Sequence, residues 1–590
     1  MMHNNSLHNQ GAGNSIRPSG PILFALFLSG MSALIYEVSW IRPITSVLQS
    51  TVYVVSLILT AFMLGLALGS LCAKLFIEKV ERPLLLYTIL EFGIAAYGLL
   101  LLSLFSLLPK LLQAVTQIKT PLLYFFVEFS CIFLLLLVPT TLMGATFPIL
   151  AKSYVGNAVG KSIGELYATN NLGAVTGSLL AGFILLPNLG VRYTIILAAL
   201  LNIAAGSLVL AHYHRDKLKY FAAPALVGFM SLSYCGNYSL ANLYNGGVCG
   251  YFQRNYLGDQ QILFYEEGSY GYVTVIGQGQ FGAVKRLLLN GQGSSSLRLS
   301  DVRVSTLLGY LPVLANPSAQ TSLTIGFGTG ASSSILSRHT ITTTVEIEPK
   351  VIETAGFFEM INAGVFNNNH KIVFDDARHY LLRTPKKYDL IINHPLELYQ
   401  SFSSLLFTKE FLELAKSRLN ENGLYFQWFP LYDLKPEEFQ DFYKTFNSVF
   451  PHQMVFVNIK AGENINYEIK GAQSVQSQYL AKQNSNELII IGSAKPIPLD
   501  LAALRESFAR LQPVDRNYLK LTSLDSPEAI FNLLLFKGDE LRGYYEDGTI
   551  ITDDKPSLEF STPFRLVEKS PRLVNQAMDA VLNYIKLSQD

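Results

Sequence analysis

Four stretches of this chain place chemistry-bearing residues at regular intervals. Gly326-Phe327-Gly328-Thr329-Gly330 follows the apolar run TSLTI and opens a helical pattern. Glycines at such a place let the backbone turn tightly and bring its N–H groups near a ligand at a helix start. About twenty residues on, Glu346-Ile347-Glu348-Pro349 closes a second run, where a carboxylate can accept from both hydroxyls of a ribose. Asp375-Asp376-Ala377 closes a third, where a carboxylate can accept from an adenine amino group. A fourth ends in Asn393-His394-Pro395, with Glu397 just beyond. Taken singly, each acid reads as a solvated strand end or a helix N-cap. Together, in order at successive strand ends, they describe a nucleoside site. His394 is either a proton acceptor, since neutral imidazole accepts readily, or a cap on its strand. Glu397 is either a carboxylate facing a cation or a solvated loop acid.

The elements that must position these residues alternate. After the hairpin-like stretch ILFYEEGSYGYVTVIGQGQFGAVKRLLLNGQ come TSLTIGFG, a helix, ITTTVEIE, a helix from Pro349, KIVFDD, a helix, YDLIINH, a helix around 408–420, and LYFQWF. Repeated strand-helix units predict a parallel sheet with helices on both faces, and ligands on such sheets bind beyond the carboxyl ends of the strands. HQMVFVNIK and ELIIIGS read as closing strands around a polar loop at 462–486. Residues 501–590 read as a helical structural extension containing TDDKPSLEF.

The first part of the chain is of another kind. Half of the 590 residues are apolar and 15% are charged, an average over two unlike halves. Residues 1–20 are polar and read as disordered, whereas apolar runs long enough to cross hydrocarbon fall near 21–43, 51–75, 83–108, 121–150, 166–187 and 191–211. Basic residues cluster on alternate loops, which by the positive-inside rule leaves the N-terminus in the cytoplasm. Six spans then leave the soluble domain in the cytoplasm, where nucleoside sulfonium compounds are made; a seventh at the shorter run 220–235 would export it. Gly65-x-x-x-Gly69 and Gly173-x-x-x-Gly177 let helix backbones approach closely in lipid. Glu37, Glu91 and Glu128 lie within apolar runs, where a charge costs about 2.5–3.5 kcal/mol. Glu37 pairs with Arg42, sits near the interface, or joins the others in lining a site for a cation such as a polyamine. Cys72, Cys131, Cys235 and Cys249 show no zinc spacing; Cys235 and Cys249 could pair on an oxidising side. A net charge of +1 without a basic stripe excludes nucleic-acid binding as an expectation.

GYLPVL, LTIGFGTGASSS, VEIEPKVIE, FDDARHYL, YDLII and LLFTKEFLELAKSRLNENGLYFQW resemble the spermidine synthase (polyamine aminopropyltransferase) family. ALIYEVSWIR, LMGATFPILA, LYATNNLGAVTGSLLAGFILLP and TDDKPSLEF are similar to its bacterial members fused to a multi-span membrane region. The resemblance implies an α-helical transmembrane bundle at 21–240, a β-rich subdomain at 245–310, and a Rossmann-like α/β domain of the class I S-adenosylmethionine-dependent methyltransferase type at 311–500. It implies no permanently bound cofactor, and decarboxylated S-adenosylmethionine, or S-adenosylmethionine itself, as cosubstrate. Glu346 would hold the ribose, Asp376 and Ala377 the adenine, and Gly326, Gly328 and Gly330 the sulfonium tail. A multi-pass inner-membrane protein results, with the bilayer, a small-molecule amine and a second copy of itself as expected partners.

The substrate side departs from the family. Its base, an Asp, is replaced by His394, and the donor-holding Asp of the glycine turn by Thr329. Its His before the first Rossmann strand is replaced by Ser305, and the Gln of its early Tyr-Gln pair by Gly271 after Tyr270. A carboxylate at the turn would repel that of ordinary S-adenosylmethionine and threonine would not, which implies relaxed donor choice. Three functions follow: aminopropyl transfer to putrescine or a related amine, alkyl or methyl transfer from S-adenosylmethionine to another acceptor, and a non-catalytic membrane transporter or sensor of polyamine or nucleoside.

Overall fold

The apolar runs of the first part fold as helices, and the alternating second half folds as a sheet with helices. The computed structural model describes residues 20–48, 50–105, 108, 118, 120–155, 158–213, 260–278, 284–398, 400, 403–432, 434–458, 487–568 and 576–587. The chain divides into a helical unit and an α/β unit. The run at 220–235, Cys235, Cys249 and the 462–486 loop lie outside the described residues; Cys72 and Cys131 are free thiols.

Among the described residues five helices are long and apolar enough to cross a membrane: Gly20–Leu48, Val52–Lys79, Pro83–Leu104, Pro121–Tyr154 and Val159–Tyr213. All six runs expected from sequence fall on these five helices. The last holds two of those runs, divided at Gly190, whose φ of 71° and ψ of 177° are non-helical. A side chain on Gly65 would strike Thr140, and one on Gly69 the Thr141 carbonyl. Gly173 and Gly177 likewise sit against the carbonyls of Phe27 and Met31, so both small-residue motifs are sites of backbone contact. Glu91 is fully buried: its Oε1 accepts from Ser29 Oγ at 2.6 Å and its Oε2 from Asn202 Nδ2 at 2.6 Å. It is therefore a hydrogen-bonded core group joining three helices. Glu37 is buried with Oε2 unpartnered.

The α/β unit opens with an antiparallel sheet of β1 (Gln260–Glu267), β2 (Tyr272–Gln278), β3 (Val284–Leu289) and β4 (Gln292–Ser296), in that order. Helix α1 (Leu299–Ala315) leads into the main sheet, which contains β5 (Thr321–Ile325), β6 (Ile341–Glu346), β7 (His370–Phe374), β8 (Tyr388–Asn393), β9 (Leu419–Pro430), β10 (His452–Asn458), β11 (Glu487–Ser493) and β12 (Leu534–Lys537). Their order is β12-β10-β11-β9-β8-β5-β6-β7. Strands β5 to β9 are parallel, and β11 enters antiparallel between β9 and β10. The chain winds outward from β5 through β6 to β7, then returns to add β8 on the other side. The gap between β5 and β8 is thus the switch point beyond which such sheets bind ligands.

Side chains alternate across the sheet, so Tyr425 and Phe429 of β9 join one core layer and Phe426 the other. The hydroxyls of the central strands satisfy one another across them: Thr324 and Thr344 Oγ1 are 2.6 Å apart. The C-terminal stretch is not purely helical, because β12 pairs with β10 and extends the sheet. Asp515 ties this stretch to the rest, accepting from Tyr310 Oη–H at 2.9 Å and Arg338 Nε–H at 3.2 Å. Arg338 lies on helix α2 (Ala331–His339), which starts at the glycine turn.

Candidate functional site

The glycine turn alternates handedness in a way only glycine tolerates: Gly326, Gly328 and Gly330 have φ of 87°, 54° and 80°. At Gly326 a Cβ would also come within 2.9 Å of the His394 carbonyl. This turn carries the Phe327 N–H onto Glu346 Oε2 at 2.8 Å, while the Glu348 N–H meets Oε1 at 2.9 Å. Burial pushes the Glu346 carboxyl above the ordinary carboxylate range, and the backbone donors oppose that push. Each oxygen is fixed by one N–H and retains acceptor capacity, a geometry suited to a pair of vicinal hydroxyls.

Glu348 is a residue whose importance the sequence reading missed. As N-cap of helix α3 (Pro349–Glu353) it accepts from the Lys350 N–H at 3.1 Å, and its other oxygen accepts from the Tyr270 N–H at 2.9 Å. The β1–β2 turn is thereby pinned over the end of β6. Glu-Pro at a helix start was a legible capping signal. Its second bond spans 78 positions, which no local pattern shows.

A cavity of about 430 Å³ opens beyond the ends of β5, β6, β7 and β8. Gly326, Gly328, Thr329, Glu346, Asp376, Ala377, His394 and Tyr270 all line it, together with Ser305 and Gly271. Gly330 and Glu397 do not: Gly330 caps helix α2, and Glu397 accepts from the Tyr432 hydroxyl at 2.6 Å. Asp376 combines both roles considered for it, lining the cavity and capping helix α4 (Ala377–Arg383) by accepting from the His379 N–H at 2.9 Å. Arg378, also on the cavity wall, donates to Asp553 Oδ1 at 2.8 Å, and Thr408 Oγ1 donates to the same atom at 2.7 Å. Burial alone would raise the Asp553 carboxyl, but Arg378 and Thr408 outweigh it and hold it below the usual range. The late TDDKPSLEF motif thus braces the wall of this cavity.

His394 is half-buried, its ring 5.2 Å from that of Trp428 and its backbone N–H donating to the Ile325 carbonyl at 3.2 Å. Burial pushes the imidazole down to about 4, so it is neutral at physiological pH and a weak base. The neutral form is lost only as pH falls through that value. Any acid limb in kcat/KM caused by His394 is therefore expected near pH 4, and His394→Asn should lower kcat/KM about tenfold without reshaping the profile between about pH 6 and 8. A limb near 6.5 that disappears in His394→Asn would contradict this, 6.5 being roughly the ordinary histidine value.

Residues 302–467 match the family model for the spermine/spermidine synthase domain. The chain carries a spermine/spermidine synthase domain. Polyamine aminopropyltransferase 2 of Aquifex aeolicus is 24% identical over 419 residues, covering 69% of this chain and 78% of that protein. The polyamine aminopropyltransferase of Oceanobacillus iheyensis is 25% identical over 423 residues, covering 69% and 77%. These relatives are transferases. Both matches are longer than the whole stretch from Cys249 to Asp590, so they reach into the helical unit as a fused architecture requires. A solved spermidine synthase in complex with the transition state analogue AdoDATO is 16% identical, covering 44% of this chain and 89% of that one with a TM-score of 0.33.

Proposed function

We propose that this protein transfers the aminopropyl group of decarboxylated S-adenosylmethionine to an amine, releasing methylthioadenosine, in a domain that its helical unit attaches to the inner membrane on the cytoplasmic side. The observation that carries the reading is Glu346, buried at the switch-point cavity with each oxygen fixed by a backbone N–H. Its carboxylate takes the two ribose hydroxyls, and Asp376 with Ala377 takes the adenine. The glycine turn lies under the sulfonium tail, which runs toward His394.

In the reaction the acceptor nitrogen's lone pair attacks the methylene carbon beside the sulfonium. The C–S bond breaks, its electron pair stays on sulfur, and the new ammonium loses a proton to water. With a pKa of about 4, His394 does not store that proton; it orients the amine as a hydrogen-bond acceptor. Proximity supplies most of the rate, by holding nitrogen and carbon in line. Thr329 in the turn favours a second reading, alkyl or methyl transfer from ordinary S-adenosylmethionine, because no carboxylate there opposes that donor's own.

The test is the full-length protein in lipid nanodiscs with decarboxylated S-adenosylmethionine, following methylthioadenosine with and without primary amines. Amine-dependent release is expected. Tight methylthioadenosine binding without release on any amine would reject the transfer reading.

A further inference from the structure

The C-terminal motif TDDKPSLEF grips one side of the cavity at two points. Asp553 Oδ1 accepts from Thr408 Oγ1 at 2.7 Å and from Arg378 Nη2 at 2.8 Å, and the buried carboxylate of Glu559 accepts from Ser404 Oγ at 3.4 Å. Ser404 and Thr408 bracket Leu405 and Leu406, which line the cavity and are half-buried. The backbone joins in, the Lys409 N–H donating to the Ile551 carbonyl at 2.9 Å. Arg378 follows Asp376 and Ala377 at the start of helix α4, so this is the side given to the adenine.

Arg378 has more donors than this bracing uses. The strong arginine–carboxylate pair is bidentate, with two N–H groups on two oxygens. Here Asp553 and Thr408 both meet Nη2 alone, and Nε and Nη1 have no partner among the described residues. A guanidinium only donates and stays charged, so those N–H groups can be met only by an acceptor. Arg378 is half-buried and is the only Lys or Arg among the described lining residues. Adenine carries both kinds of group together: an amino donor, with a ring-nitrogen acceptor on either side of it. A carboxylate can satisfy the amino group but neither ring nitrogen. Asp376 Oδ1 is engaged by the His379 N–H, which leaves Oδ2 for the amino group.

Resting on the nucleoside reading of the cavity, we propose that Arg378 determines specificity for the base, donating to a ring nitrogen beside the amino group that Asp376 accepts. Asp553 is its positioning residue, so the C-terminal stretch takes part in recognising the nucleoside. A base with carbon or a donor at that nitrogen leaves the guanidinium unpaired, which is how such a site rejects it.

The experiment measures binding of methylthioadenosine and its 1-deaza and 7-deaza analogues to the full-length protein in nanodiscs. Each analogue replaces one of the two flanking nitrogens by C–H. One of them is expected to bind about tenfold more weakly than methylthioadenosine, through loss of a charge-assisted hydrogen bond. In Arg378→Met that penalty should fall below about threefold, and in Asp553→Asn it should shrink, a change in discrimination that loss of packing alone would not produce. Penalties below about threefold for both analogues in the native protein, or a penalty unchanged in both variants, would overturn the inference and leave the nucleoside site intact. No binding of methylthioadenosine at all would overturn the nucleoside reading and the inference with it.

Discussion

Glu346→Ala is expected to raise the dissociation constant for methylthioadenosine by about a hundredfold or more. A carboxylate accepting two hydroxyls makes charge-assisted bonds worth about 1.5–3 kcal/mol each, and every 1.4 kcal/mol is tenfold. Alanine also strands the N–H groups of Phe327 and Glu348, which Glu346 satisfies in the native fold. Glu346→Gln separates the two effects: one amide oxygen can still accept, so about a tenfold loss is expected. Titration calorimetry reads both. Because burial raises the Glu346 pKa and the hydroxyls donate to its ionised form, affinity should fall with decreasing pH at values above the ordinary carboxylate range. Binding by Glu346→Ala within about threefold of the native affinity would remove Glu346 from the ribose site.

Thr329→Asp is expected to change which donor is accepted. Thr329 is buried on the cavity wall in the glycine turn, and its backbone is fixed by Asn362, whose Nδ2–H donates to the Thr329 carbonyl at 2.6 Å. A carboxylate introduced there would sit beside the donor's amino end, attracting the decarboxylated form and repelling the carboxylate of ordinary S-adenosylmethionine. Like charges set side by side at such a place cost several kcal/mol. The ratio of the two donors' affinities is therefore expected to shift by about a hundredfold toward the decarboxylated form. Competition of each donor against labelled methylthioadenosine measures it. An unchanged ratio in a variant that still binds methylthioadenosine would show that position 329 does not face the donor's tail.

These two residues differ in what made them visible. Glu346 could be placed from sequence because strand, turn and acid follow one another within some twenty positions, a local pattern with a physical cause. His394 could be located by the same periodicity but not assigned a role. Whether an imidazole is a base or a neutral acceptor depends on its solvation, and the side chains that desolvate it come from other strands, Trp428 among them. The span count shows the converse limit. Apolar length predicted two runs at 166–187 and 191–211, and hydropathy does not specify whether a helix breaks between them. That was decided at Gly190 by its backbone conformation.

The sequence by itself determined the division into an apolar helical part and an alternating α/β part, the succession of strand-helix units along the chain, and the glycine turn with its acids. Each is written in periodicity or in residues close together along the chain. Only the tertiary structure decided that Glu348 pins the β1–β2 turn, that Asp553 braces Arg378 across 175 positions, and that Glu397 turns toward Tyr432 and not into the cavity. It also decided that Glu91 is met by donors from two other helices. Those contacts arise when strands and helices distant in sequence pack side by side, and a hydrogen bond or charge partner brought in that way leaves no mark in the local pattern of either residue.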